Sequence, residues 1–194
     1  MKKLTLATLS TLALSLTCTS VFAVDGTIIV NGVVIDGTCT LIGGSNILTG
    51  LKNLTLNMPT IPKSKFKPTD PPAEAFTVFL ANTTGRACDL VTSKALKGIH
   101  LSAISPTDLD ATDKTLLVNK AIGASTKNPV FIRILTAYSA EVVDLSAPWG
   151  VQAKSPVYSN IGYAIYYRAQ YVSKTGIVDP QTYTAKINYT LHYN

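Results

Sequence analysis

Charge and histidine are scarce in this chain. Of its 194 residues only 14% are charged and two are histidine, His100 and His192. So thin a supply leaves little for general acid–base or nucleophile–base chemistry. No G-x-S-x-G elbow, phosphate-binding loop or dinucleotide fingerprint is present either, so the expectation is no enzyme, no catalytic residue and no cofactor. Cysteine is rare as well. Three residues are too few for a disulfide-dense mini-scaffold, and with two distant histidines they lack any zinc spacing, so no metal site is expected. The net charge of +6 is spread along the chain, without the clustered basic footprint that nucleic acid would require. With 46% apolar residues the chain is too hydrophobic for intrinsic disorder and long enough to bury a core of its own.

The one long apolar run is at the start. Met1-Lys2-Lys3 is basic, Leu4 to Leu16 is apolar apart from Ser and Thr, and Val21-Phe22-Ala23 offers small residues where a signal peptidase cuts. That three-part pattern predicts a secretory signal peptide over residues 1–23. The rival readings are a membrane anchor, for which the run falls short of the ~20 residues needed, and lipidation at Cys18, for which Thr17 is a poor preceding residue. No other stretch is long and apolar enough to span a bilayer, so no stable membrane insertion is expected. Export leaves Cys39 and Cys88 as a pair. In an oxidising compartment that pair reads as a disulfide, with two free buried thiols as the alternative.

Beyond Val24 the dominant period is two. Residues 27–37 form an apolar, β-branched stretch interrupted by Asn31-Gly32. Leu54, Leu56 and Met58 alternate, as do Phe76, Val78 and Leu80, then Val130, Ile132 and Ile134, then Ile161 through Tyr171. Turn clusters at 43–46, 105–108, 147–150 and 179–181 separate these runs. Many short strands with turn signals at this spacing predict an antiparallel all-β sandwich. Residues 59–73 carry five prolines and Lys63, Lys65 and Lys67 without a period, and are expected as an exposed loop. A short helix fits around Leu90 to Leu96. His100 and His192 are expected on solvated strand faces, and Asp108, Asp110 and Asp113 in a solvated turn. Tyr167 and Tyr171 are expected in the core rather than on a sugar-binding surface.

The clearest alternation is the last. From Thr182 to Tyr193, the residues Tyr183, Ala185, Ile187, Tyr189, Leu191 and Tyr193 share one face, while Thr182, Thr184, Lys186, Asn188, Thr190 and His192 share the other. That is a half-buried strand running almost to the end of the chain, where termini usually fray.

These features together resemble the subunits of chaperone–usher pili of the type 1 and P fimbrial kind. The likeness rests on Gly26 to Cys39, which resembles the family's N-terminal pattern of alternating apolar residues before a G-x-V-V-x-x-x-C segment; on Leu56 to Pro59, and Phe76 to Leu80 leading to Cys88; on Asn128 to Leu135 and Ile165 to Tyr171; and on the penultimate Tyr193. The resemblance implies an incomplete immunoglobulin-like β-sandwich over residues 32–194, lacking its last strand and completed by a donated one. It implies a donor extension at 24–31, with Ile28 and Val30 as anchors and Gly26 allowing close backbone approach. The receiving groove would be lined by Tyr183, Ala185, Ile187, Tyr189, Leu191 and Tyr193.

The implied partners are a periplasmic pilus chaperone, an outer-membrane usher and neighbouring pilus subunits; the implied destination is a fimbrium at the cell surface, reached through the periplasm. The implied role is a structural subunit polymerised by donor-strand exchange and contributing to surface attachment. The alternative is a single-domain adhesin or adaptor of the same system. Two features depart from the pattern: the donor segment has only two residues, Val24 and Asp25, before Gly26, and Gln181 stands where the family typically has glycine.

Overall fold

Period two in the sequence becomes strand nearly wherever the chain is described. The computed structural model describes residues 39–44, 47–49, 53–67 and 69–194, all within the unit Gly32–Asn194. The expected leader at 1–23, the donor segment at 24–31 with Gly26, Ile28 and Val30, and the apolar stretch at 27–37 lie outside the described residues.

Nine strands are described: β1 (Thr40–Gly43), β2 (Ile47–Thr49), β3 (Leu54–Leu56), β4 (Ala73–Ala81), β5 (Leu96–Ala103), β6 (Leu116–Leu117), β7 (Phe131–Thr136), β8 (Ala164–Val172) and β9 (Ile187–Tyr193), with one helix, α1 (Leu90–Ala95). A five-stranded sheet runs in the order β1-β4-β8-β7-β6, beside the two-stranded pairs β2-β3 and β5-β9. Every pairing is antiparallel.

Alternation sets which side chains face the core. Val78 and Leu80 of β4, Ile132 and Ile134 of β7, and Ile165, Tyr167 and Ala169 of β8 form one layer, and Ile99 and Leu101 of β5 form the facing one. Each fully buried aliphatic or aromatic side chain contributes ~1.5–3 kcal/mol of transfer free energy. Tyr167 stacks on Phe76 at 5.9 Å between ring centroids, and burial pushes its phenol up to about 12. Tyr171 is partly buried against the same core.

Three local features differ from the sequence pattern, each for a physical reason. The run expected from Ile161 becomes strand only at Ala164. Ser159–Ile161 is a 3-10 turn, and Gly162 (φ 62°) and Tyr163 (φ 56°) are both left-handed, a conformation no strand contains. Within the Pro-rich loop, Phe66 is buried with Val130 and Val178 in a small second cluster, while its neighbouring lysines stay exposed. The aspartate turn is tied down rather than merely solvated: Asp108 pairs with Lys120 at 3.1 Å, Asp113 with Arg133 at 3.1 Å, and Asp110 with Lys174.

α1 is short but capped. The Asp89 carboxylate accepts from the Thr92 amide at 2.8 Å, satisfying one of the free N–H groups of the first turn. The helix passes directly into β5 through the extended Leu96. Cys39 and Cys88 are joined by a disulfide that closes a separation of 49 residues. The bridge ties the start of β1 in the larger sheet to the segment leading into β5. Oxidised cysteines offer no thiolate, so the cluster of Cys39, Cys88 and Asp89 holds no metal-ligating sulfur.

Candidate functional site

β9 runs antiparallel to β5, from Ile187 opposite Ala103 to Tyr193 opposite Leu96, with one bulge near Gly98. Among the described residues no other strand pairs with it. The face expected from the sequence is the face observed: Tyr183, Ala185, Ile187, Tyr189, Leu191 and Tyr193 all pack against the main core, and each remains only partly buried. The opposite residues from Thr182 to Thr190 are exposed. The strand itself begins at Ile187, so Tyr183 and Ala185 keep the alternation without the ladder.

Side chains hold the segment before β9 in that extended form. The Asn119 amide donates to the Thr182 carbonyl at 2.7 Å, and its oxygen accepts from the Thr184 amide at 3.1 Å. The Lys120 amide donates to the Thr184 carbonyl at 2.8 Å. Asn119 thus stands in for a neighbouring strand. Gln181, at the position where glycine was the expected residue, is a bridge. Its carbonyl oxygen accepts from Asn119 at 3.1 Å, and its amide donates to the Asn128 and Asp179 carbonyls at 3.1 Å each. Asp179 accepts from the Ser125 hydroxyl at 2.7 Å and from the Asn128 amide, and these donors hold its carboxyl below the usual carboxylate range.

The inward tyrosines are polar at their tips, and those tips reach specific partners. Tyr183 donates to the Leu117 carbonyl at 2.9 Å, and burial pushes its phenol upward. The Tyr189 hydroxyl lies 3.0 Å from Thr40 Oγ1, joining β9 to β1 across the core. Burial, then the nearby Asp89, raises the Tyr193 phenol. Beyond Tyr193, the Asn194 amide donates to the Ala95 carbonyl at 3.1 Å.

The far edge of β5 is closed by a side chain. Buried Gln152 accepts from the Leu101 amide at 3.0 Å and donates to the Leu101 carbonyl at 2.7 Å, copying the bond pair of a strand neighbour. On the outward face of β9, His192 is stacked on Trp149, with ring centroids 4.1 Å apart and planes 5° apart, and Lys154 Nζ lies 4.5 Å from the same indole. Gly98 (φ 146°) makes room, since a Cβ there would lie 3.1 Å from the Trp149 ring. One face of the His192 ring is thereby covered while the side chain stays partly exposed; burial, then His100 and Lys154, lowers its pKa. His100 Nε2 is 2.9 Å from the Ala147 carbonyl.

The sequence reading found all six inward residues of the last segment and the cysteine pair. It missed Asn119, Gln152 and Trp149. Their roles depend on contacts between distant segments, for which a polar or aromatic residue in a turn region gives no local signal.

No family model matches the chain, and no curated protein sequence matches it. Among solved structures it is similar to the P pilus rod subunit PapA, known from a crystal structure, at 14% identity and a TM-score of 0.55, covering 87% of this chain and 99% of that one. At that identity the likeness concerns the fold: the chain has the all-β fold of a pilus subunit.

Proposed function

We propose that the chain is a structural subunit of a chaperone–usher fimbria, exported to the periplasm and polymerised at the cell surface by donor-strand exchange. One observation carries this reading. In a pilus-subunit fold, the last strand packs an unbroken apolar face on the core, yet every residue of that face stays only partly buried, and its one strand partner among the described residues is β5. A donated strand beside β9 would cover those side chains and satisfy its second edge, the mode of recognition known as strand addition.

In this reading residues 1–23 are the leader and Val24 to Asn31 the donor, with Ile28 and Val30 entering a neighbour's groove and Gly26 lying close to its backbone. Two buried aliphatic anchors contribute ~3–6 kcal/mol, and each added backbone hydrogen bond ~0.5–1.5 kcal/mol. A periplasmic chaperone would occupy the groove first, and an outer-membrane usher would then pass the subunit to its neighbour.

Two measurements test this. Expressed without a chaperone, the chain should aggregate or be degraded, because an open apolar groove beside an unpaired edge invites association. A stable, soluble monomer would contradict the proposal. Deleting Val24 to Asn31 should leave chaperone binding intact and abolish polymerisation; a truncated chain that still polymerises removes the donor assignment.

A further inference from the structure

Outside the groove, the most unusual surface is a cluster of three tyrosines. Tyr138, Tyr158 and Tyr166 come from three segments and meet pairwise, at 5.5 Å for Tyr138 and Tyr158, 5.9 Å for Tyr138 and Tyr166, and 5.4 Å for Tyr158 and Tyr166. Tyr166 lies on the outer side of β8, since its neighbours Ile165 and Tyr167 are buried in the core. Tyr138 is 69% exposed.

The backbone fixes all three. The Ala137 amide donates to the Tyr166 carbonyl at 3.3 Å, and the Tyr158 amide donates to the Ala164 carbonyl at 2.9 Å. Thr136 and Ser139 hydroxyls lie 2.7 Å apart, and the Glu141 amide donates to Thr136 Oγ1 at 3.0 Å, closing the turn that carries Tyr138. The two non-glycine residues with positive φ among the described residues, Ala140 and Tyr163, both sit in the turns that present this cluster. Such conformations cost free energy and gather where the surrounding structure has a use for them.

We propose that Tyr138, Tyr158 and Tyr166 form a carbohydrate-binding platform on the outer face of the five-stranded sheet. A pyranose has an apolar C–H face and a rim of hydroxyls. The cluster offers the complement of both. Its rings meet edge-to-face or tilted, with interplanar angles from 54° to 77°, so they form a stepped ledge rather than one flat plane. None of the three phenol hydroxyls has a protein partner among the described residues, leaving each available to a ligand hydroxyl. Ser139, Glu141 and Asn160, within three residues of Tyr138 or Tyr158 in sequence, are exposed and polar. Tyr side chains suit such a role because they are rigid, apolar in the ring and polar at the tip. The platform does not depend on donor-strand exchange, since none of its residues belongs to β9 or to the amino-terminal segment.

The test uses the full chain in its assembled or chaperone-bound state, and NMR with methyl glycosides of glucose, galactose, mannose and N-acetylglucosamine at millimolar concentration. At least one glycoside should shift the ring signals of all three tyrosines. Tyr138→Ala should weaken its binding about three- to tenfold, the loss expected for one aromatic contact, and Tyr138→Phe should keep most of it. Melting temperature should not change, because Tyr138 is exposed. Failure of every glycoside to bind, or binding that survives Tyr138→Ala combined with Tyr158→Ala, overturns the proposal. So does a response that tracks self-association on dilution instead of sugar, which would make this face a protein contact.

Discussion

β8 and β9 carry the same two-residue alternation and end up in different states. β8 is paired on both edges, with β4 and β7, and its inward Ile165 and Tyr167 are 0% and 1% exposed. β9 is paired with β5, and its inward Ile187, Tyr189, Leu191 and Tyr193 keep part of their surface uncovered. The residue types are alike, so the difference lies in what flanks each strand. Alternation in a sequence says which face is apolar; how deeply that face is buried depends on the neighbouring strands. The same alternation can therefore give a fully buried face in one strand and a partly buried face in another.

The largest expected effect concerns the strap between the two regions. The disulfide joins the start of β1, in the sheet that contains β8, to the segment that enters β5, the partner of β9. Replacing both cysteines with serine should cost about 4 kcal/mol of stability by the loop-entropy relation for a closure of this length. Urea unfolding measures it, and a loss below about 1 kcal/mol would mean the two layers hold together without the strap. Next comes a matched pair of truncations. Ile165→Ala should cost about 3 kcal/mol, within the usual range for a filled core, and Ile187→Ala less than half of that in the chain alone. Adding a strand beside β9, from a chaperone or a donor peptide, should bring the second value toward the first. Equal losses without any added strand would erase the distinction between the two regions.

Much of this was legible beforehand. The alternation at 76–80 and 187–193 gave strand and inward face together, because side-chain direction in a strand depends on position alone; at 183–185 it gave the face without the strand, and in β7 Phe131 and Leu135 are buried as well as Ile132 and Ile134. A short helix fitted the residues around Leu90 to Leu96, where α1 forms, but its Asp89 cap is visible only in the structure. The start of β8 was not legible, since nothing before Gly162 signals that Tyr163 will also be left-handed. Nor was the covering of His192: its place on the polar face is local, but Trp149 reaches it from another part of the chain, over the space left by Gly98. The same holds for Asn119 and Gln152, whose amides replace strand neighbours. A strand surrogate made of one side chain has no period to detect.

That surrogate permits a smaller test of the β5–β9 region. Gln152→Ala would leave the buried amide and carbonyl of Leu101 without their partners, at a cost of about 1–3 kcal/mol. Hydrogen exchange at Leu101 should accelerate while exchange at Ile165 in β8 stays slow. Uniform acceleration would show that the two regions open as one unit, and the contrast between them would then be static only.

The smallest effects should separate the regions by pH. Asp110, beside the β6–β7–β8 edge, is raised by partial burial but lowered more by the Lys174 ammonium and the Thr112 hydroxyl and amide, so its carboxyl lies well below the usual carboxylate range. A depressed carboxylate contributes stability above its unfolded value of ~4, and that contribution is lost as pH falls further and the folded form takes up its proton. Because Lys174 is partly exposed, the pair contributes no more than about 1 kcal/mol. His192 acts in a higher window. Its folded pKa is lowered by burial beneath Trp149, with His100 and Lys154 adding to the shift, so the folded chain resists the proton that the unfolded chain accepts below ~6.5. Stability from that stack is present above this value and declines as pH falls through it. Between pH 7 and 5 only β5–β9 should loosen, seen as faster exchange in β9 and a change in Trp149 fluorescence; below pH 4 the β6–β7–β8 edge should follow. His192→Gln should remove the first step and leave the second, and a first step that persists in this variant would assign it to a group other than the stacked histidine.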